Sequence, residues 1–202
     1  MQIDKQLIIV DQDVNFDLHI HKNTDYYLLD LNPHPHKIKI NQYLYDNVES
    51  TIHLIVLNYE NYTKEINIQA YLNNNFAKAI NYVQVIGFNN SQTSVFLNAH
   101  LHAKCHSNQV AQTIKATLLN NARVQGQPTL TIDSNDVKAS HAYEVGNIPD
   151  DVLFYLKLKG LSKHDAIYLI VTAMFNQVLN HFDDDIKNKY WQKIRDTFER
   201  II

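Results

Sequence analysis

From about residue 50 onward, short β-type runs recur with centres roughly 14 to 17 residues apart, a beat that suits a sandwich, a barrel or a stacked solenoid. Over the first 148 residues the runs fall at 7–10, 16–20, 26–31, 37–40, 51–59, 65–72, 82–88, 95–101, 114–119 and 129–132. Several alternate apolar with polar, as in Ile66-Asn67-Ile68-Gln69-Ala70 and Leu130-Thr131-Ile132, which is the period of a half-buried strand. Glycine and proline number only four each, so another residue must turn the chain. Asparagine tolerates the left-handed backbone that turns need. Asn73-Asn74-Asn75, Asn89-Asn90 and Asn120-Asn121 fall in the gaps between apolar runs.

The pattern changes near residue 149, where three helices are predicted. Pro149, Asp150 and Asp151 form a helix start, with acid where the dipole favours it, and Val152-Leu153-Phe154-Tyr155-Leu156 follow, with Gly160 as the stop. Ser162 then caps a second helix, and Asp165 completes a capping-box pattern. Its apolar positions, among them Ile167, Leu169, Ile170, Val171, Met174, Phe175 and Val178, cover most of the circumference, which predicts burial on two sides. A third helix from about Asp185 sets Ile186, Tyr190, Ile194, Phe198 and Ile201 on one stripe. Two regions result: residues 1–148, mainly β, and residues 149–202, helical.

Composition narrows the function classes. A net charge of −3 with 19% charged residues offers no basic field for nucleic acid. The longest apolar stretch, residues 166–175, is about half of what a bilayer requires, so no membrane span is expected. The N-terminal apolar run is too short for a secretory signal. The single cysteine, Cys105, cannot make an internal disulfide and suits a reducing cytoplasm. No phosphate-binding glycine motif is present.

The densest group of potential ligands is His100-Leu101-His102-Ala103-Lys104-Cys105-His106. On a strand, His100 and His102 share a face. Two imidazoles with the Cys105 thiolate would suit a transition metal; the other reading is a row of solvated side chains. A cupin-type metal motif has an acid a few residues on, and none follows. His34-Pro35-His36 reads as a functionless loop around its proline. Asp183-Asp184-Asp185 reads as a solvated linker and cap. Ser140 and His141 are adjacent, which on a strand sends their side chains apart and argues against a nucleophile pair.

One longer set of residues is more specific. Pro128, Leu130 and Ile132 come first, then Asn135-Asp136-Val137-Lys138-Ala139-Ser140-His141, Val145-Gly146, Leu153-Phe154-Tyr155-Leu156, Gly160-Leu161-Ser162 and Ala166. This set resembles the C-terminal signature of the SufB/SufD family, the scaffold of SUF iron–sulfur cluster assembly, over about residues 112–179. The resemblance implies a right-handed parallel β-helix followed by a C-terminal α-helical region, shorter at the N-terminus than family members. It implies a non-catalytic SufD-like subunit that pairs with a SufB-type subunit. It also implies that Leu153, Phe154, Tyr155 and Leu156 lie in the region docking a SufC-type ABC ATPase, where ATP use would reside. His141, matched through Val137, Lys138 and Ser140, is then the residue at a nascent iron–sulfur cluster or iron shared with the partner. Two departures point to SufD rather than SufB: Thr113 follows Gln112 where SufB carries an essential cysteine, and Ala139 stands where some SufD proteins have cysteine. Alternatives from other classes are a stand-alone metal-binding protein using His100, His102 and Cys105, and a purely structural β-helix. A homodimer in place of a heterocomplex stays open.

Overall fold

The computed structural model describes residues 3–201. Eleven strands come first among them: β1 (Asp4–Val10), β2 (Val14–Ile20), β3 (Thr24–Asp30), β4 (His36–Leu44), β5 (Glu49–Asn58), β6 (Thr63–Leu72), β7 (Lys78–Gly87), β8 (Gln92–Leu101), β9 (Asn108–Leu118), β10 (Arg123–Ile132) and β11 (Val137–Asn147). Three helices follow, α1 (Asp150–Leu158), α2 (Lys163–Leu179) and α3 (Asp184–Ile201).

Odd strands form one sheet, in the order β1-β3-β5-β7-β9-β11, and even strands a second, β10-β8-β6-β4-β2. All nine pairings are parallel. A chain that visits two parallel sheets in strict alternation climbs one strand spacing per circuit, so the molecule is the expected parallel β-helix. Thr51 lies opposite Ile80, Ile80 opposite Ala111 and Ala111 opposite Ser140, steps of 29, 31 and 29 residues. One circuit therefore holds two of the recurring runs, and the beat in the sequence is the half-turn. The first circuit is tighter, with Asp4 opposite Thr24, a step of 20.

Asparagine does make corners. Asn89 and Asn90 sit at φ 51° and 62°, and Asn120 and Asn121 at 52° and 65° one circuit later. The two corners stack: the Asn90 N–H donates to the Asn120 carbonyl at 3.0 Å, and Asn120 Nδ2 donates to Asn89 Oδ1 at 2.9 Å. In the 73–75 run the left-handed residue is the next one, Phe76. There the asparagines bind neighbouring turns instead, Asn74 Nδ2 donating to the Leu44 carbonyl at 3.0 Å and Asn75 Oδ1 accepting from the His106 N–H at 2.9 Å.

Two apolar cores result. One fills the solenoid, with Ile52, Leu54, Val56, Ile66, Ile68, Val83, Val95, Leu97 and Ile114 among its members. The second lies outside, where Tyr27, Leu29, Ile55, Leu57 and Ile86 of the odd sheet, with Phe88 just beyond β7, meet Ile167, Val171, Phe175 and Val178 of α2 and Ile194 and Phe198 of α3. This explains why Leu54-Ile55-Val56-Leu57 is continuously apolar: the odd sheet is covered on both faces there, as parallel strands between layers are. The even sheet has no such cover, and β6 alternates strictly. Helix α2 buries one side, not two; Leu169 is 50% exposed. The capping box holds, with the Asp165 N–H donating to Ser162 Oγ at 3.1 Å, and Gly160 ends α1 at φ 90°.

The His34-Pro35-His36 segment is not an idle loop. His36 is buried, with Nε2 2.9 Å from Asp30 Oδ2 and Nδ1 2.8 Å from the His34 carbonyl. Lys64 reaches the same carboxylate at 3.0 and 3.1 Å and the carbonyls of Asn32 and Leu57 at 2.8 Å each. Burial pulls the Lys64 pKa down, opposed by Asp30. The cluster ties residues 31–35 to β6. One strand escaped the sequence reading: β11 has few apolar residues because most of it faces water.

Two outcomes follow. Asp30→Ala leaves the Lys64 ammonium buried without its counter-ion, so it lowers stability by about 3–5 kcal/mol; a urea-unfolding loss under about 1 kcal/mol would refute that role. The second concerns pH. His53 and His181 flank the ring of Tyr27, with centroids 5.1 and 4.4 Å away, and join the odd sheet to the α2–α3 turn. Burial lowers both histidine pKa values from their ordinary 6.5. Asp25 pulls upward on both, and His181 also feels Lys5. The folded state thus resists protons that the unfolded chain accepts, so this stability is complete above about pH 6.5 and declines as pH falls. Thermal midpoints measured downward from neutral pH will drop, and His53→Phe will flatten the slope; an unchanged slope counts against this pair.

Candidate functional site

Parallel stacking leaves the last circuit open. β10 and β11 end their sheets and have no further strand beyond them among the described residues. Side chains on β11 alternate, and Val137, packed on the solenoid core, places Ala139, His141, Tyr143 and Val145 on the inward row. Opposite them, Val124 and Leu130 of β10 also pack on that core. The row is inward yet uncovered: Ile132, Tyr143 and Val145 are 45%, 44% and 44% exposed. Tyr143 crosses the opening. Its hydroxyl donates to the Val124 carbonyl at 3.1 Å, and its ring occupies the space where a side chain on Gly126 would begin.

His141 stands in the middle of this row and is exposed. It is in register with Gln112 of β9, and Gln112 with Asn81 of β7. Those two amides face the solenoid interior at 1% and 0% exposure. Asn81 Oδ1 accepts from Gln42 Nε2 at 2.7 Å, and Gln42 Oε1 accepts from the Ser50 hydroxyl at 3.0 Å. Asn81 Nδ2 and both amide atoms of Gln112 have no partner. Sequence reasoning missed this polar line. Its signal was present, since Gln112 falls on the apolar phase between Val110 and Ile114, and Asn81 between Ala79 and Val83. Ser140 leaves the opposite face, in register with Ala111. Thr113 pairs with Ala142 and Ala139 with Val110, so no thiol flanks His141.

The His100–His106 segment is arranged differently. β8 ends at Leu101, so His102 lies in the turn beyond the strand, with its ring 6.3 Å from that of His100. His100 Nε2 is 2.7 Å from Asp133 Oδ2. The Cys105 thiol is buried, with its sulfur 3.2 Å from the Leu72 carbonyl oxygen and 2.6 Å from that of His102, the two acceptors within reach of its one proton. Among the described residues, no three His, Cys, Asp or Glu side chains gather as a metal-holding group.

In α1, Leu153 and Leu156 turn toward the protein and are half-buried, while Phe154 and Tyr155 point to solvent at 62% and 57% exposure. Val152 and Leu158, 39% and 69% exposed, complete an outward apolar face at helical spacing. Among the described residues, no helix is long and apolar enough to cross a membrane.

Residues 112–174 match a family model described as the SufBD core domain of SUF-system FeS cluster assembly. An iron–sulfur cluster assembly SufBD family protein of Synechocystis is 33% identical over 79 residues, 36% of this chain and 17% of that protein. The iron–sulfur cluster assembly protein SufD of Escherichia coli is 36% identical over 64 residues, 32% of this chain and 15% of that one. SufD of Bacillus subtilis is 32% identical over 79 residues, 39% and 18%. The matched part thus covers less than a fifth of each relative, and it contains β11, α1 and the open end of the solenoid.

The open end makes a local prediction. Gly126→Ala forces the Tyr143 ring out of its seat, so amide exchange over residues 137–147 will quicken while β5 and β7 stay protected. Unaltered exchange in β11 would show that Tyr143 does not close the end.

Proposed function

We propose that this chain, a SufB/SufD-family member across residues 112–174, serves as a SufD-like scaffold subunit in iron–sulfur cluster assembly, with the nascent cluster as its cargo. The observation that carries the reading is the position of His141: an exposed imidazole on the inward row of an open solenoid end, on one of the two strands, β10 and β11, that end their sheets among the described residues. Such edges invite pairing, and a SufB-type subunit adding strands there would enclose His141 at the junction. The lack of thiols around His141 fits a subunit that shares a cluster rather than holding one alone, since thiolates are the usual iron–sulfur ligands. The outward face of α1, formed by Val152, Phe154, Tyr155 and Leu158, is the surface we assign to a SufC-type ATPase, which would supply the ATP chemistry. The chain itself acts without catalysis. We place it in the cytoplasm, where its single buried thiol stays reduced.

The test is a pull-down from native cells with this chain as bait. It will recover an ABC-type ATPase and a larger SufB-like chain, and His141→Ala will lower the iron recovered with that complex while the chain still folds. Recovery of the chain alone, or equal iron in the variant, would overturn the reading.

A further inference from the structure

We infer that Gln112 is a positioning residue for His141: its side-chain NH₂ donates to the inward ring nitrogen and fixes the imidazole as the tautomer whose N–H points out of the solenoid. The purpose of this arrangement rests on the proposed assembly role; its geometry does not.

The first observation is a cost. Gln112 is 1% exposed and neither amide atom has a partner. An unpaired buried polar atom costs about 1–3 kcal/mol, and the interior neighbours Val110 and Ile114 show what folding alone would place there. The second is reach. Gln112 and His141 are Cα partners on adjacent parallel strands, on one face and about 4.8 Å apart, so side-chain rotation alone brings amide and ring together. No carboxylate stands on the inward rows of β10 and β11 to do this instead.

The third observation sets the direction. Ser50 donates to Gln42, and Gln42 donates to Asn81, which leaves Asn81 Nδ2 as a buried donor without an acceptor. Asn81 and Gln112 are register partners. Continuing the line, Asn81 Nδ2 donates to Gln112 Oε1 and Gln112 Nε2 donates to His141. That one sequence of donations satisfies all three orphaned atoms of Asn81 and Gln112. A ring nitrogen that accepts puts the proton on the other. His141 then offers the cargo an N–H, a donor suited to sulfide or thiolate sulfur.

Nitrogen-15 spectra of the labelled protein, with His141 assigned by its loss in His141→Ala, read the tautomer directly. Wild type will show one tautomer. Gln112→Leu will show a mixture of tautomers. Gln112→Glu, whose carboxylate once ionised offers only acceptors, will lose the wild-type tautomer. Identical tautomers in wild type and Gln112→Leu would overturn the role; the same tautomer in wild type and Gln112→Glu would overturn the direction. Because these spectra need no partner and no iron, a fixed tautomer alongside normal iron loading in His141→Ala would sink the scaffold reading and leave Gln112 standing.

Discussion

Everything in this molecule depends on the parallel ladder between successive circuits. Each strand hydrogen-bonds to the strand one circuit away, 20 residues on in the first circuit and up to 31 in the later ones, never to its neighbour in sequence. That rule has three consequences. Residues at one step recur in columns, so corners stack on corners and amides on amides. Side chains of a column share one face, so a single polar residue placed inward recruits others above and below. The ladder also stops without closing, since a solenoid, unlike a barrel, has ends.

The two sheets meet water differently, and the helices are the cause. The odd sheet carries a second apolar layer outward, and α2 and α3 cover it. The even sheet faces solvent with alternating polar residues. Covering one face fixes where the uncovered ends lie. It leaves α1 beside the last circuit, with an apolar face of its own turned outward. The β10–β11 end of the solenoid and the α1 face both lie in the segment that matches SufBD proteins.

Polar groups in the interior are of two kinds. Around Asp30 every charge is answered: Lys64 has four acceptors, and His36 bonds through both ring nitrogens. Such a cluster holds a loop in place and needs nothing further. Along Ser50, Gln42, Asn81 and Gln112 the bonding runs toward His141 and stops short. The contrast separates a structural cluster from one directed at the open end.

The spacing of apolar runs, the asparagine gaps and the alternation in β6 were enough to predict a succession of short strands, because each depends only on local backbone preference and side-chain period; the resemblance, not the spacing, selected a solenoid over a sandwich or a barrel. The caps at Ser162 and Gly160 were legible for the same reason. The VK-x-SH residues marked His141 through resemblance, before its surroundings were known. What tertiary structure alone decided were partners distant in sequence. The pairing of Gln112 with His141, 29 residues apart, follows from circuit length, which no local pattern sets to the residue. His36 read as a loop histidine because Asp30 and Lys64 come together only once β3, β4 and β6 stack. His102 read as sharing a strand face with His100, with Cys105 as a further ligand, but the chain turns after Leu101 and buries the thiol. The even sheet's exposure and the odd sheet's second core were likewise decided by where the helices settled, since an apolar run such as Leu54-Ile55-Val56-Leu57 states that both faces are buried but not by what.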